Sequence, residues 1–391
     1  MNTKYNLNSN HPLISNSQEY MFEQKMVSIH SEDRDINKYP LSTDFEIELP
    51  QDYCNVQSIK LNSWTFPISY YNFSKIFNNI TLTFKITNPY NPGVFDPLYP
   101  VYWALFANKD NEYIIEIEEG NYTDSQLATE LTNLFNQAVT NYLISQGVFT
   151  PYDQFVILFN PVSSKLWFGN KSSEFELTND SSTNTNINAS VCINELPSAS
   201  NYGLPYYLGF PKKSIISTSY ISPNYPIMNS STSPTTGGVG WLLPTLGNTN
   251  VFIIIAPNVL NLFSFTFYSY MEIHGHNSID ETSPYSKTHF TKTTNETNGI
   301  VNSSFAKIPM YTNTSPPLNN IYYSSHTVDN AVKIYNPPAT RIRKLKIKLR
   351  YHNGLLVDFN GLNYSFTLEF LIFRPQSAKQ YNMYKPESYK L

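Results

Sequence analysis

Three clusters in this 391-residue chain carry residue types that could do chemistry. From Arg343 to Arg350, basic residues (Arg343, Lys344, Lys346, Lys348, Arg350) alternate with Leu345, Ile347 and Leu349. Successive side chains of a strand point to opposite faces, so Lys344, Lys346, Lys348 and Arg350 share one side. That side could meet phosphates or an acidic protein neighbour, or be a solvated face whose lysines guard an edge. It has no interleaved aromatic residue, as a single-strand nucleic-acid binder would want. Glu272, His274 and His276 have the spacing of one strand face, where imidazoles can ligate a metal. No fourth ligand is evident, and a polar strand end is the plainer reading. Asp33-Arg34-Asp35 could be a carboxylate pair but reads better as a locally salt-bridged turn. No nucleophile elbow, phosphate loop, His-Glu-x-x-His or Gly-x-Gly-x-x-Gly occurs. Catalytic triads need no proximity in sequence, yet nothing pushes towards one. No enzyme activity, cofactor or metal is expected.

The elements that must position these groups are mostly strands. Aromatic residues make up 15% of the chain, with 30 Tyr and 25 Phe, which favours pleated, half-buried surfaces. With 26 Pro and 14 Gly, turns should be frequent and long helices few. A charged fraction of only 14%, filled out by Asn, Ser and Thr, suits a surface packed against neighbours, and an AT-rich coding sequence would produce the same bias. The net charge of −4 argues against bulk binding of nucleic acid. Cys54 and Cys192 stand alone, so no disulfide framework or paired-cysteine zinc site is expected, and a reducing cytoplasm is the natural place of synthesis. The opening residues lack a signal-peptide pattern, and no apolar run approaches the ~20 residues of a membrane helix. Sequons such as those at Asn72, Asn79, Asn121, Asn188 and Asn302 read as a by-product of composition.

In chain order, residues 1–25 read as a flexible polar arm. Phe45, Ile47 and Leu49 alternate with Asp44, Glu46 and Glu48 as a half-buried strand, stopped by Pro50 and turn residues Asp52 and Asn55. Val56, Ile59 and Leu61 lead on to Trp64 and Phe66. Ile80–Ile86 alternates as a further strand. Residues 88–111 read as a proline-rich loop with aromatics, before a strand at Tyr113–Ile117. Gly120–Gln146 is one amphipathic helix: Thr123 and Gln126 have capping-box spacing, and Leu127, Leu131, Phe135, Val139 and Leu143 fall on one face. Thr129, Glu130, Thr132, Asn133, Asn136 and Gln137 make its polar face. Without Lys or Arg there, a membrane-surface helix is the lesser reading. Phe155–Phe159 and Leu166–Phe168 read as a hairpin, with Phe175 and Leu177 adding a strand. Val251–Ile255 and 258–273 resume strand character, and Tyr364–Ile372 closes the chain. Together these predict a mainly β protein: one antiparallel jelly-roll sandwich (26–88 plus 251–375), an inserted subdomain (89–250) holding the helix, and a tail (376–391).

The order of Ser31, Asp33-Arg34-Asp35, Tyr39-Pro40 and Phe45-x-Ile47-x-Leu49-Pro50 resembles the amino-terminal part of penton and minor capsid proteins of large icosahedral DNA viruses and their virophages. Gly120-Asn121-Tyr122-Thr123 before the helix, Leu208-Gly209-Phe210, and Phe305–Pro309 resemble further features of that family. The resemblance spans roughly Val27 to Arg374 and is weakest over Asp180–Asn250. It implies a jelly-roll virion protein: a vertex penton forming a homopentamer on the major capsid protein, without specific nucleic acid or a transmembrane segment. Arg343, Lys344, Lys346, Lys348, Arg350, Asp33, Arg34 and Asp35 become candidates for assembly contacts. Alternatives are a minor capsid or cement protein beneath the shell, a virion attachment protein binding glycan or receptor through the insertion, and a virion enzyme.

Overall fold

A computed structural model describes residues 20–181, 203–221, 241–262, 268–280, 303–310, 321–324, 331–352 and 354–375. The residues 1–19 of the expected arm, the expected 376–391 tail, most of 181–250, Cys192, and the sequons at Asn188 and Asn302 lie outside them. The described chain is mainly β and antiparallel throughout, as the alternation predicts. It divides into two compact units. One holds the described residues up to Tyr70 and from Tyr268 onward; the other holds those in 71–262.

The first unit contains β1 (Tyr20–His30) and β2 (Asp44–Pro67). The second unit follows with β3 (Thr81–Asn88), α1 (Tyr99–Ala107), β4 (Tyr113–Glu116), α2 (Asp124–Ser145), β5 (Phe155–Asn160), β6 (Lys165–Asn170) and β7 (Glu174–Leu177). It ends with α3 (Leu204–Tyr207), β8 (Ile215–Ile216), β9 (Thr218–Ile221) and β10 (Asn250–Ile255). The chain then returns to the first unit with β11 (Tyr268–Ile273), β12 (Ile279–Asp280), β13 (Ser303–Ser304), β14 (Ala306–Pro309), β15 (Ile321–Ser324), β16 (Val332–Tyr351) and β17 (Ser365–Pro375).

The first unit is built on a sheet in the order β1-β17-β2-β16-β11-β14, with β15 also pairing β2. The last described strand thus lies between the first two. β2 runs through the Pro50 and Asn55 expected to end it. Its register against β16 slips between Tyr53/Ile342 and Glu48/Lys344. Pro50 falls in that bulge, where no ladder bond asks for the N–H it lacks, and Asn55 takes a positive φ of 54°. Residues 20–25, expected in the arm, pair with β17 without a break. Phe45, Leu49, Val56, Ile59 and Leu61 of β2 are buried, as are Leu345, Ile347 and Leu349 of β16. Tyr53 stacks on Phe370 at 4.6 Å between ring centres.

The second unit has two four-stranded sheets, β4-β3-β7-β8 and β5-β6-β10-β9. Both contribute to one core with α2: Phe84 stacks on Phe135 at 4.2 Å, and Phe155 meets Phe84, Phe135 and Phe175 edge-on. β3 and β10, expected in the jelly-roll core, hydrogen-bond within this unit, so packing puts the division near Tyr71 and 262 rather than at Pro89 and Asn250. The expected 88–111 loop contains α1, begun with Pro100 in its first turn and with Asp96 Oδ1 accepting from Leu98 N at 2.8 Å. Gly209 of the Leu-Gly-Phe motif is required: its φ is +90°, and a β-carbon there would lie 2.4 Å from Asn258 O.

The expected helix forms, and its capping box is complete: Gln126 N donates to Thr123 Oγ1 at 3.2 Å and Thr123 N to Gln126 Oε1 at 3.0 Å. Its polar face does more than meet water. Thr132, Asn136 and Thr140, four residues apart, bind the free backbone edge of β5 and the residues before it. Ile157 N donates to Thr132 Oγ1, Phe155 N to Asn136 Oδ1 and Tyr152 N to Thr140 Oγ1, each at 2.9 Å; Asn136 Nδ2 donates back to Phe155 O at 2.9 Å. The helix therefore covers an edge that would otherwise need a strand. Replacing Asn136 by Ala leaves both backbone groups of Phe155 unpaired and should cost about 2 kcal/mol in urea unfolding. Asn133→Ala, on the exposed side, should stay within about 0.5 kcal/mol.

Candidate assembly surface

β2 and β16 pair so that Lys344 faces Glu48, Lys346 faces Glu46 and Lys348 faces Asp44. The basic alternation of one strand thus lies beside the acidic alternation of the other. Lys344 Nζ reaches Glu48 at 3.0 Å and Glu46 at 3.6 Å; Lys348 reaches Asp44 at 3.2 Å. Arg341 pairs with Asp52, and Arg343 lies 4.0 Å from both Glu48 and Asp52. Hydrogen bonding to Glu48 raises the Lys344 ammonium above the ordinary lysine range, and the same contact lowers Glu48. Lys346 is exposed and takes part in no described ion pair. Arg350 is buried, 3.4 Å from Glu272, and donates to Gly354 O at 2.7 Å. The acidic neighbour weighed for this face belongs largely to the same chain.

Arg34 is not salt-bridged to Asp33 or Asp35 among the described ion pairs. Its guanidinium donates to Tyr39 O at 2.9 Å, Ser31 O and Asn363 Oδ1 at 2.7 Å each, and Pro40 O at 3.1 Å. Asp35 Oδ1 accepts from Asn37 N at 3.1 Å and Lys38 N at 3.3 Å. Asp33 ends a short 3-10 turn, Ser31–Asp33. Ser31 N donates to Tyr364 O at 2.9 Å, and Tyr364 N to Ser31 Oγ at 2.8 Å. The segment that resembles a family motif is a clasp between the end of β1 and the start of β17.

Glu272, His274 and His276 do not share a strand face. β11 ends at Ile273, and Gly275, at φ 78°, turns the chain. Glu272 faces Arg350, and His276 Nδ1 lies 2.6 Å from Tyr335 Oη. No group of three or more His, Cys, Asp or Glu among the described residues could hold a metal ion. Burial, then Lys333 and His274, lower the proton affinity of His276. A residue that sequence reasoning passed over is Lys212, whose ammonium burial lowers to about 8 against the pull of Asp180. Asn79, in a sequon, is fully buried and holds Ser74 N and Asn72 O, which leaves no room for a glycan.

In the second unit, α1 and the residues before it expose aromatic surface: Phe95 fully, Trp103 by 52%, with Val94, Leu98 and Phe106 beside them in sequence. Tyr99, Tyr102, Trp103 and Phe106 form a run of ring contacts, closed by Lys109 Nζ at 4.8 Å over Phe106. No helix among the described residues is long and apolar enough to cross a membrane.

No protein-family model matches this chain, and no curated protein matches it. Among solved structures it is similar to the mavirus penton protein, with a TM-score of 0.39 and 8% identity over 90% of this chain and 99% of that one. A chain from the cryo-EM structure of the Sputnik virophage gives a TM-score of 0.38 and 10% identity over 94% of this chain and 100% of that one.

Lysine carries one point charge and cannot reproduce the guanidinium fork. Arg34→Lys should therefore lower stability by about 2 kcal/mol in thermal unfolding. His276 binds a proton less readily folded than unfolded, so the unfolded chain takes up more protons as pH drops below about 6.5. The contribution of His276 is present above that pH and is lost on acidification. Urea midpoints measured from about pH 7.5 to 5 should fall, and His276→Gln should flatten that fall.

Proposed function

We propose that this chain is a structural virion protein, a penton component that forms a closed ring of five copies at the capsid vertex and docks on the major capsid protein. The observation that carries this reading is the use made of the polar groups singled out in the first unit. Arg34, Asp35, Arg350, Lys344 and Lys348 are spent on clasping and lining one broad antiparallel sheet, and no group of three or more His, Cys, Asp or Glu among the described residues could hold a metal ion. A protein built this way acts through its outer surfaces. Of the residues that resemble penton and minor capsid proteins, Ser31, Arg34, Tyr39 and Pro40 form the clasp and Phe45–Pro50 open β2, so the resemblance falls on the devices that close the sheet. A ring needs a head-to-tail contact repeated until it closes. Lys346, Arg341 and Arg343 are exposed along one flank and are candidates for that contact or for the major capsid protein.

The exposed rings of Phe95 and Trp103 favour a second reading, attachment to host glycan or receptor through the aromatic face of α1. Removing residues 90–250 is not a clean test of it, because β3 and β10 would lose their partners. Trp103→Ser should leave the unfolding temperature nearly unchanged and should abolish glycan-array binding if that reading holds.

Cryo-EM of the assembled particle tests the main proposal. Five copies about each fivefold axis are expected; copies only between capsomers beneath the shell would replace it with the cement reading.

A further inference from the structure

β1 forms an outer edge of its sheet: among the described residues, its one strand partner is β17. The register gives the direction of its free backbone groups. Ser31 N donates to Tyr364 O in continuation of the β1–β17 register, in which His30 faces Ser365. Odd-numbered residues therefore carry the ladder bonds to β17. Even-numbered Phe22, Gln24, Met26 and Ser28 turn their N–H and C=O groups outward. The side chains of these four residues are also exposed, Phe22 by 57% and Met26 by 51%.

Edge strands are commonly guarded by charge. Here the guard cancels itself: Lys25 Nζ lies 2.8 Å from Glu23 Oε1 on the same strand. The order Phe22-Glu23-Gln24-Lys25-Met26 is self-complementary when two copies run antiparallel. Centred on Gln24, such a pairing sets Glu23 against the partner's Lys25 and Lys25 against the partner's Glu23. Phe22 then meets the partner's Met26 on the exposed face, a ring-to-sulfur contact. Gln24 meets the partner's Gln24, and all these even-numbered pairs have the outward backbone groups that a hydrogen-bonded pair needs. An arrangement shifted by one residue would put inward groups opposite outward ones.

We infer that β1 pairs edge to edge with β1 of a second copy of this chain, antiparallel and centred on Gln24, so that the sheet continues across a twofold axis. This goes beyond the ring reading: a ring uses a head-to-tail contact, whereas this one joins the same patch on both copies.

Native mass spectrometry of the full chain and its charge variants tests the pairing. Lys25→Glu sets Glu against Glu twice across the axis, and Glu23→Lys sets Lys against Lys; each should weaken pairing at least about tenfold. An equimolar mixture of the two variants restores opposite charges at both contacts and should pair as a heterodimer. Gln24→Pro removes an outward donor that the β17 ladder does not use and should also abolish pairing, with circular dichroism and unfolding temperature as the check that β1 stays folded. Wild-type chains that stay unpaired up to about 100 μM would overturn the inference. So would pairs that survive both Lys25→Glu and Gln24→Pro. A ring of five that persists in Lys25→Glu, without doubled species in the wild type, would sink this contact and leave the ring reading standing.

Discussion

The first unit depends on β2. It hydrogen-bonds β17 along one side and β16 and β15 along the other. A 24-residue strand would accumulate twist along a flat sheet. Register slips against both long partners bend the strand and concentrate that twist locally, between Ser58 and Val56 and between Tyr53 and Glu48 on the β16 side, and near Ser63 and Gln57 on the β17 side. One face of the β2–β16 pair is apolar, with Phe45 beside Ile347 and Ile47 beside Leu345; the other carries opposite charges in register. A one-residue slip would bury the charges and expose the core residues together, so the two faces enforce the same alignment.

That arrangement engages much of the strongest charge pattern in the sequence within the chain itself. Ion pairs of exposed residues contribute little stability, but they fix which strand lies beside which. The Arg34 clasp does a similar job at the chain ends, tying the close of β1 to the start of β17 through carbonyl oxygens. What remains for function is periphery: the β1 edge and the exposed Arg341, Arg343 and Lys346 flank in one unit, and the aromatic face of α1 in the other.

Much of this was legible in the sequence where one period dominates. The alternation from Phe45 to Leu49 and from Lys344 to Arg350 marks real strands, and the 3.6-residue spacing after Thr123 marks α2 with its capping box. The misses have physical causes. Pro50 reads as a strand stop, but a bulge removes the need for its missing donor. α1 is apolar around its whole circumference, so it has no amphipathic signal to separate it from a loop. The turn at Gly275 breaks the expected alignment of Glu272, His274 and His276, although that glycine was visible. Arg34 beside two aspartates suggests ion pairs, yet its five donors are better satisfied by four oxygens converging from Ser31, Tyr39, Pro40 and Asn363. The edge-covering role of Thr132, Asn136 and Thr140 is invisible without knowing that β5 lies beneath α2.

Amide hydrogen exchange of the native full-length chain tests most directly whether β2 is the element on which the first unit rests. Buried core strands open only with the largest unfolding events, whereas edges open locally. With the chain dilute enough to be unpaired, the amides of Val56–Phe66 in β2 and of Leu345–Leu349 in β16 should exchange slowest in that unit, with β1 and β14 faster. Protection in β2 no greater than in those two edge strands would contradict the account.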